Sequence, residues 1–325
     1  MNKLVETKYG SMLCNKFDKY VGQALIQYGE YSDDEVGFYL LTKIKSNKII
    51  EGLTTSLLLW ALYKSNYKKY DLLHFHIAYP LLIHYFIWKK IIKLLVIISE
   101  HWSAYHFNFF MPKETKKLNG IKKIFNQKIP LITVSKSLLR DIQEFVETKD
   151  FLFSVIPNVI DNKYFHFKNR SISTKKPVFF IVNVWRPIKT PFPMLKAFVQ
   201  LLLEGIDFEL RIGGYGDLLD KMKIFIQKNG LESNVKFLGK MNKPQIADEL
   251  SQSNAYLYSS EYETFSVACA QALVCGCPLI GPAIPAIMEY SDSSEQIIVL
   301  ENDSKSWQEA LQKFIIQIDI YNHVN

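Results

Sequence analysis

Residues 259–282 read SSEYETFSVACAQALVCGCPLIGP. Two carboxylates, Glu261 and Glu263, stand just ahead of a run of small and apolar residues that closes on Gly276. The run predicts a helix over about 265–275 with Gly276 as its C-cap. The unpaired amides at the start of such a helix carry partial positive charge and suit a diphosphate. Glu263, in the loop before the helix, is placed to accept hydrogen bonds from sugar hydroxyls. Gln271, farther along, is placed to bond a ribose. An ordinary acid-capped helix of an α/β fold explains the same residues without any ligand.

The elements that must position these residues come from a chain of 325 residues, 48% hydrophobic and 14% aromatic. That is enough for one large or two ordinary domains and excludes general disorder. The net charge of +7 suits a phosphate-bearing ligand or an anionic membrane surface, and equally a solvated lysine-rich surface. Four cysteines, Cys14, Cys269, Cys275 and Cys277, fit neither a disulfide framework nor a zinc spacing. With no secretory leader at the N-terminus, they point to a reducing, cytoplasmic home. Residues 80–99, PLLIHYFIWKKIIKLLVIIS, are apolar, but Lys89, Lys90 and Lys93 interrupt them. A spanning helix is not expected on that ground. A helix to about Trp88 followed by a buried strand is expected, with a basic face that can rest on a lipid surface.

From about residue 68 short apolar runs alternate with helical patterns. KYDLLHFHI, KLLVIISEHW, IPLITVS and FSVIPNVID read as strands, and KSLLRDIQEFV as a helix capped by Ser135. DNKYFHFKNRSISTKK reads as a linker. A second series starts at PVFFIVNVW and continues through FELRIGG, VKFLG and NAYLYSS, with helices between them. Two such series predict α/β architecture with two Rossmann-like domains, whose ligands bind at the carboxyl ends of the strands. The parts expected are an extension over 1–48, a first domain over 49–165 and a second over 166–325. The extension shows no strand–helix repeat and reads as helix-rich or irregular.

ETFSVACAQALVCGCPLI, residues 263–280, resembles the donor-site motif of the group 1, or family 4, glycosyltransferases. These are retaining enzymes of the GT-B fold that use nucleotide sugars. The resemblance runs over roughly residues 68–315, carried in order by YDLLHFH, ISEHW, LITVSKSLL, IPNVIDNKYF, IKTPFPMLKAF, LRIGGYG and VKFLGKM. It implies a nucleoside diphosphate sugar bound mainly by the second domain and a glycan or lipid-linked acceptor, in cell-surface polysaccharide synthesis. It implies catalytic roles for His101, Glu263 and Lys189, with Lys189 on the diphosphate and His101 touching the transferred sugar. It implies donor-binding roles for Arg186, Gly214, Gly216, Thr264, Phe265, Ser266, Gln271 and Glu289. No cofactor beyond the sugar donor, no metal and no nucleic acid is expected, and peripheral contact with the inner face of the membrane is. His74 and His76 read as packing or hydrogen-bonding residues. Leu219 stands where a dinucleotide fingerprint has its third glycine, so a redox cofactor fits poorly.

The chain departs from the family at several points. No strand and glycine loop precede residue 68, so the first domain is expected to be incomplete at its N-terminus. Asn183-Val184 replaces a Gly-Arg pair, with Arg186 two residues on; Gln271 replaces a second Glu; Pro285-Ala286 replaces Gly-Gly. These departures favour the alternative of a non-catalytic nucleotide-sugar-binding or partner-binding remnant. Residues 10–35, GSMLCNKFDKYVGQALIQYGEYSDDE, separately resemble the lead-in of FkbM-like methyltransferases, without the glycine loop that would bind S-adenosylmethionine.

Overall fold

Alternating strands and helices build two parallel sheets, in two units. The computed structural model describes residues 25–32, 35–41, 71–79, 82, 85, 89–90, 93–110, 115–167, 176–291 and 296–324. The first unit comprises residues 1–133 and 141–154, and the second comprises 134–140 and 155–325.

In the first unit β1 (Leu25–Ser32) and β2 (Glu35–Leu41) pair antiparallel, with Tyr28 opposite Phe38. This corrects the helix-rich or irregular expectation for that stretch. Asp33-Asp34 lies between the two strands, a turn signal flanked by apolar and aromatic residues. The remaining residues of 1–48, where most of the methyltransferase resemblance falls, lie outside the described residues. A four-stranded sheet follows, in the order β3 (Leu72–His76), β4 (Leu95–Glu100), β5 (Leu131–Thr133), β6 (Phe153–Val155). β3, β4 and β5 run parallel. The strand expected within residues 80–99 is β4, while most of the helix expected to Trp88 falls outside the described residues. Helix α1 (Lys116–Phe125) starts at Thr115, whose hydroxyl accepts from Leu118 N–H at 3.2 Å. Helix α2 (Lys136–Val146) follows β5. Tyr105 sits at the centre of this core, its ring edge-on to Phe109, Phe125 and Phe145.

The second unit holds an all-parallel six-stranded sheet in the order β12-β11-β10-β7-β8-β9. The strands are β7 (Val178–Val184), β8 (Glu209–Tyr215), β9 (Val235–Gly239), β10 (Ala255–Leu257), β11 (Leu279–Pro282) and β12 (Gln296–Val299). Its helices are α3 (Pro191–Leu203), α4 (Leu219–Lys228), α5 (Lys243–Gln252), α6 (Val267–Val274), α7 (Pro285–Met288) and α8 (Ser304–Val324). β7 is buried on both faces. Phe179 and Ile181 join a core with Phe198, Phe208 and Trp307, whereas Phe180 joins a second core with Phe165, Tyr256 and Cys269. That is why the strand reads as a continuous apolar run rather than an alternating one. Cys269, Cys275 and Cys277 are buried thiols of the second core.

The strand order reverses between β7 and β10. The chain lays β8 and β9 on one side of β7, then returns to lay β10, β11 and β12 on the other. The loops leaving β7 and β10 therefore part in opposite directions and leave a crevice at the carboxyl edge. Beside it, β8 approaches the end of β7 closely. Trp185 N–H donates to Tyr215 O at 2.7 Å, and Trp185 Nε1–H donates to Gly213 O at 2.9 Å. Gly214 (φ 105°) has no room for a Cβ, which would lie 1.8 Å from Asn183 O. Gly214→Ala should therefore destabilise the chain by more than about 2 kcal/mol. Chemical denaturation followed by circular dichroism checks this; an unchanged midpoint would mean the two strand ends do not hold this spacing.

Candidate functional site

Lys189 lies at the end of a 3-10 turn, Pro187–Lys189, that leaves β7. The next residue, Thr190, takes a left-handed conformation (φ 34°) before Pro191 opens α3. A threonine there is strained, and several bonds hold it. Thr190 Oγ1 donates to Ser259 O, and Ser259 Oγ donates to Lys189 O at 2.5 Å. Asn302 Nδ2 donates to Thr190 Oγ1 at 3.0 Å, and Trp307 Nε1 donates to Asn302 Oδ1 at 3.0 Å. Glu261 N–H donates to Ile188 O at 3.0 Å. The loop after β10 is thus tied to the loop after β7.

The result is a cation and a carboxylate in one place. Lys189 Nζ donates to Glu263 Oε1 at 2.5 Å and to Ser260 Oγ at 3.2 Å. Ser260 Oγ itself donates to Glu263 Oε1 at 2.7 Å. The side chains of Lys189 and Glu263 are only 17% and 19% exposed. In this sheltered setting the pair interacts more strongly than a surface pair does. An anion entering the crevice meets a lysine already held in place, and a sugar meets a carboxylate able to accept its hydroxyls.

α6 starts at Val267, two residues later than the sequence pattern predicts. Ser266 takes a left-handed conformation (φ 60°) and supplies no side-chain cap. Tyr290 explains the delay: its hydroxyl lies 2.7 Å from Phe265 O and 3.0 Å from Ser266 O, and its ring lies against Phe265. These contacts hold Thr264, Phe265 and Ser266 in an irregular lead-in. The first amides of α6 are therefore left without a side-chain acceptor from its N-cap residue. Gln271 is half-buried in the helix's second turn. Gly276 ends the helix as expected, with φ 74°, and Cys277 N–H donates back to Ala272 O. Burial pushes the Cys269 thiol far up, so it acts as core.

The other candidates lie elsewhere. Arg186 precedes the 3-10 turn, its carbonyl accepting from Lys189 N–H. Gly214 and Gly216 flank Tyr215 beside Trp185, and a Cβ on Gly216 would strike Trp185 O. Glu289 is engaged with backbone. Its carboxylate accepts from Lys136 N–H at 2.7 Å and Ser137 N–H at 2.6 Å, within the segment 134–140 that groups with the second unit.

His101 belongs to the first unit, directly after β4. It forms a cluster that sequence reasoning did not assemble. His76 lies 4.3 Å from His74 and 6.1 Å from His101, ring centre to ring centre. His74 Nε2 is 2.7 Å from Ser99 Oγ. Partial burial lowers the pKa of all three, and for His74 and His101 a neighbouring imidazole adds to the effect. Glu100, the last residue of β4, is fully buried. Its Oε1 accepts from Ala78 N–H and Tyr105 O–H, both at 2.6 Å, and its Oε2 has no partner. Burial raises its pKa to about 7, against the opposing pull of Tyr105 and nearby amides. The Ala78 bond holds the turn after His76, where Ile77 is left-handed (φ 74°). Among the described residues no cluster of His, Cys, Asp and Glu has metal-binding geometry.

Glu100 makes stability pH-dependent. Its folded pKa lies above the ordinary 4.5, so its contribution is present below 4.5 and is lost as pH rises through 7. The histidines act oppositely: their contribution is present above 6.5 and is lost as pH falls through their lowered values. Between pH 5 and 8 the wild type should lose up to about 3 kcal/mol relative to Glu100→Gln. Urea midpoints at the two pH values check this, and parallel pH profiles would refute it.

Residues 162–323 match the family model described as glycosyl transferases group 1. N-acetyl-alpha-D-glucosaminyl L-malate synthase of Bacillus anthracis is 24% identical over 235 residues, covering 69% of this chain. The chain spans 60% of that relative's length. Sucrose-phosphate synthase from Thermosynechococcus elongatus superposes with a TM-score of 0.71 at 17% identity, over 92% of this chain and 78% of that one. HepE of Anabaena, solved with UDP and glucose, gives 0.63 at 17% identity, over 82% and 74%. The two parallel α/β sheets match the fold of GT-B structures, and residues 162–323 match the group 1 glycosyltransferase model.

Proposed function

We propose that the chain is a retaining glycosyltransferase that moves a sugar from a nucleoside diphosphate sugar to a glycan or lipid-linked acceptor in cell-surface polysaccharide synthesis. The observation that carries this reading is the Lys189–Ser260–Glu263 cluster at the point where the strand order reverses. Lys189 exchanges its carboxylate partner for the diphosphate and stabilises the charge that grows on it as the sugar leaves. The first amides of α6 supply further donors to the phosphates. Glu263, released from Lys189, accepts sugar hydroxyls, and Gln271 bonds the ribose. The family resemblance gives His101 a role on the transferred sugar. The UDP held by HepE makes uridine the base we favour. Among the described residues no helix is long and apolar enough to cross a membrane. We place the protein in the cytoplasm, in peripheral contact with the inner face of the membrane.

A second reading, donor binding without turnover, is favoured by the neutral Gln271 and by Val184 in place of a basic residue. Turnover of a bound donor separates the two. Binding itself is tested by thermal shift with UDP, GDP and ADP. Saturating UDP should raise the midpoint by roughly 5 °C or more, with the other two weaker. No rise with any of the three would remove the donor site and both readings with it.

A further inference from the structure

Tyr290 spends its hydroxyl on backbone at the start of α6. It stands two residues beyond α7, where its own position is fixed on both sides. Tyr290 N–H donates to Ile287 O at 3.2 Å. The neighbouring Ser291 Oγ lies 2.9 Å from Ile287 O and 2.9 Å from Oε1 of Gln296, a buried residue of β12. The Tyr290 ring packs on the second core and against Phe265, with ring centres 5.0 Å apart. Burial pushes its pKa up, so the hydroxyl stays a donor across the neutral range. Its one proton is shared between Phe265 O and Ser266 O. Ser266 has φ 60° and ψ 81° and gains no cap bond in return. A residue other than glycine keeps such a conformation only where its surroundings enforce it. α6 then opens with Ala270 N–H donating to Ser266 O at 3.2 Å. The amides of Val267, Ala268 and Cys269 are left without an intrahelical partner. Were Phe265 and Ser266 helical instead, Ala268 and Cys269 would donate to Thr264 O and Phe265 O and be withdrawn.

We propose that Tyr290 is a positioning residue for the donor's diphosphate: by holding Ser266 left-handed, its hydroxyl keeps the amides of Val267, Ala268 and Cys269 available to phosphate oxygens. The inference rests on the glycosyltransferase reading and adds to it a side chain that acts through backbone rather than on the ligand. Two consequences separate this role from a general contribution to stability. The hydroxyl acts on the helix start, so it matters to the phosphates and not to the nucleoside. It also matters only while position 266 carries a side chain. Glycine enters the left-handed region at little cost, so Ser266→Gly should make the hydroxyl dispensable.

A double-mutant cycle on the full chain tests the proposal. Isothermal titration calorimetry gives the affinity for UDP, and a saturation-transfer-difference NMR titration gives that for uridine. GDP and guanosine serve as a parallel pair. Tyr290→Phe keeps the ring and its packing on Phe265, so the chain should still melt cooperatively. The substitution should weaken UDP about tenfold and leave uridine within about twofold of wild type. In the Ser266→Gly background the same substitution should weaken UDP by less than about twofold. Equal UDP affinity in wild type and Tyr290→Phe overturns the proposal. A proportionate loss for UDP and uridine overturns it too, because the unit as a whole would then have loosened. So does a tenfold loss that persists in the Ser266→Gly background, or a Tyr290→Phe chain that no longer melts cooperatively. A wild type that binds UDP with no effect of Tyr290→Phe has lost only this inference. A wild type that binds neither UDP nor GDP has lost the donor reading as well.

Discussion

The reversal of strand order between β7 and β10 is the constraint on which the second unit depends. In an all-parallel sheet every strand is entered from the same edge, so every outgoing loop emerges at the carboxyl edge. Where neighbouring loops lead to helices on opposite faces, they part. Residues 185–190 and 258–266 are about seventy positions apart in the chain, yet the reversal makes them neighbours. The strained bend at Thr190, the buried serine contacts and the Asn302–Trp307 brace all serve that meeting. Trp307 belongs to the hydrophobic core, so the position of Lys189 is anchored to the packing of the whole unit. A helix terminus alone would be a weak anion site; a helix terminus beside a lysine fixed by the core is a specific one.

The first unit uses its carboxyl edge in another way. Its organising group is a buried carboxylate, Glu100, which ties the turn after β3 to Tyr105 and so to the aromatic core. At the carboxyl ends of β3 and β4 stand His74, His76 and His101, whose pKa values are lowered mainly by partial burial. The second unit presents a preformed charged pair, and the first presents partly buried imidazoles with lowered pKa values. The two units thus offer different chemistry from the same architectural edge.

Much of this was legible in the sequence, for physical reasons. Short apolar runs made β3, β4, β5 and β7 to β11 visible; in β7, β10 and β11 the run is continuous because both faces are buried. Gly276 announced the end of α6. The early hairpin was missed because Gly29 and Gly37 face each other within it, weakening the strand signal. The start of α6 was misplaced because Ser266 is held left-handed by Tyr290, a residue 24 positions away. The two backbone N–H groups that Glu289 accepts lie 153 and 152 positions away, so its motif could not announce them. The link from Glu100 to Ala78 and the grouping of three histidines arise from strand register, which no local pattern encodes.

The central claim is that Lys189 receives the diphosphate in the crevice between the loops leaving β7 and β10. The 31P NMR spectrum of UDP, titrated with the wild-type chain and with Lys189→Met, addresses this most directly. The account predicts that both phosphorus resonances shift on addition of wild type and stay near their free positions with the variant. Equal shifts with both proteins would contradict it, because the phosphates would then be held without this lysine.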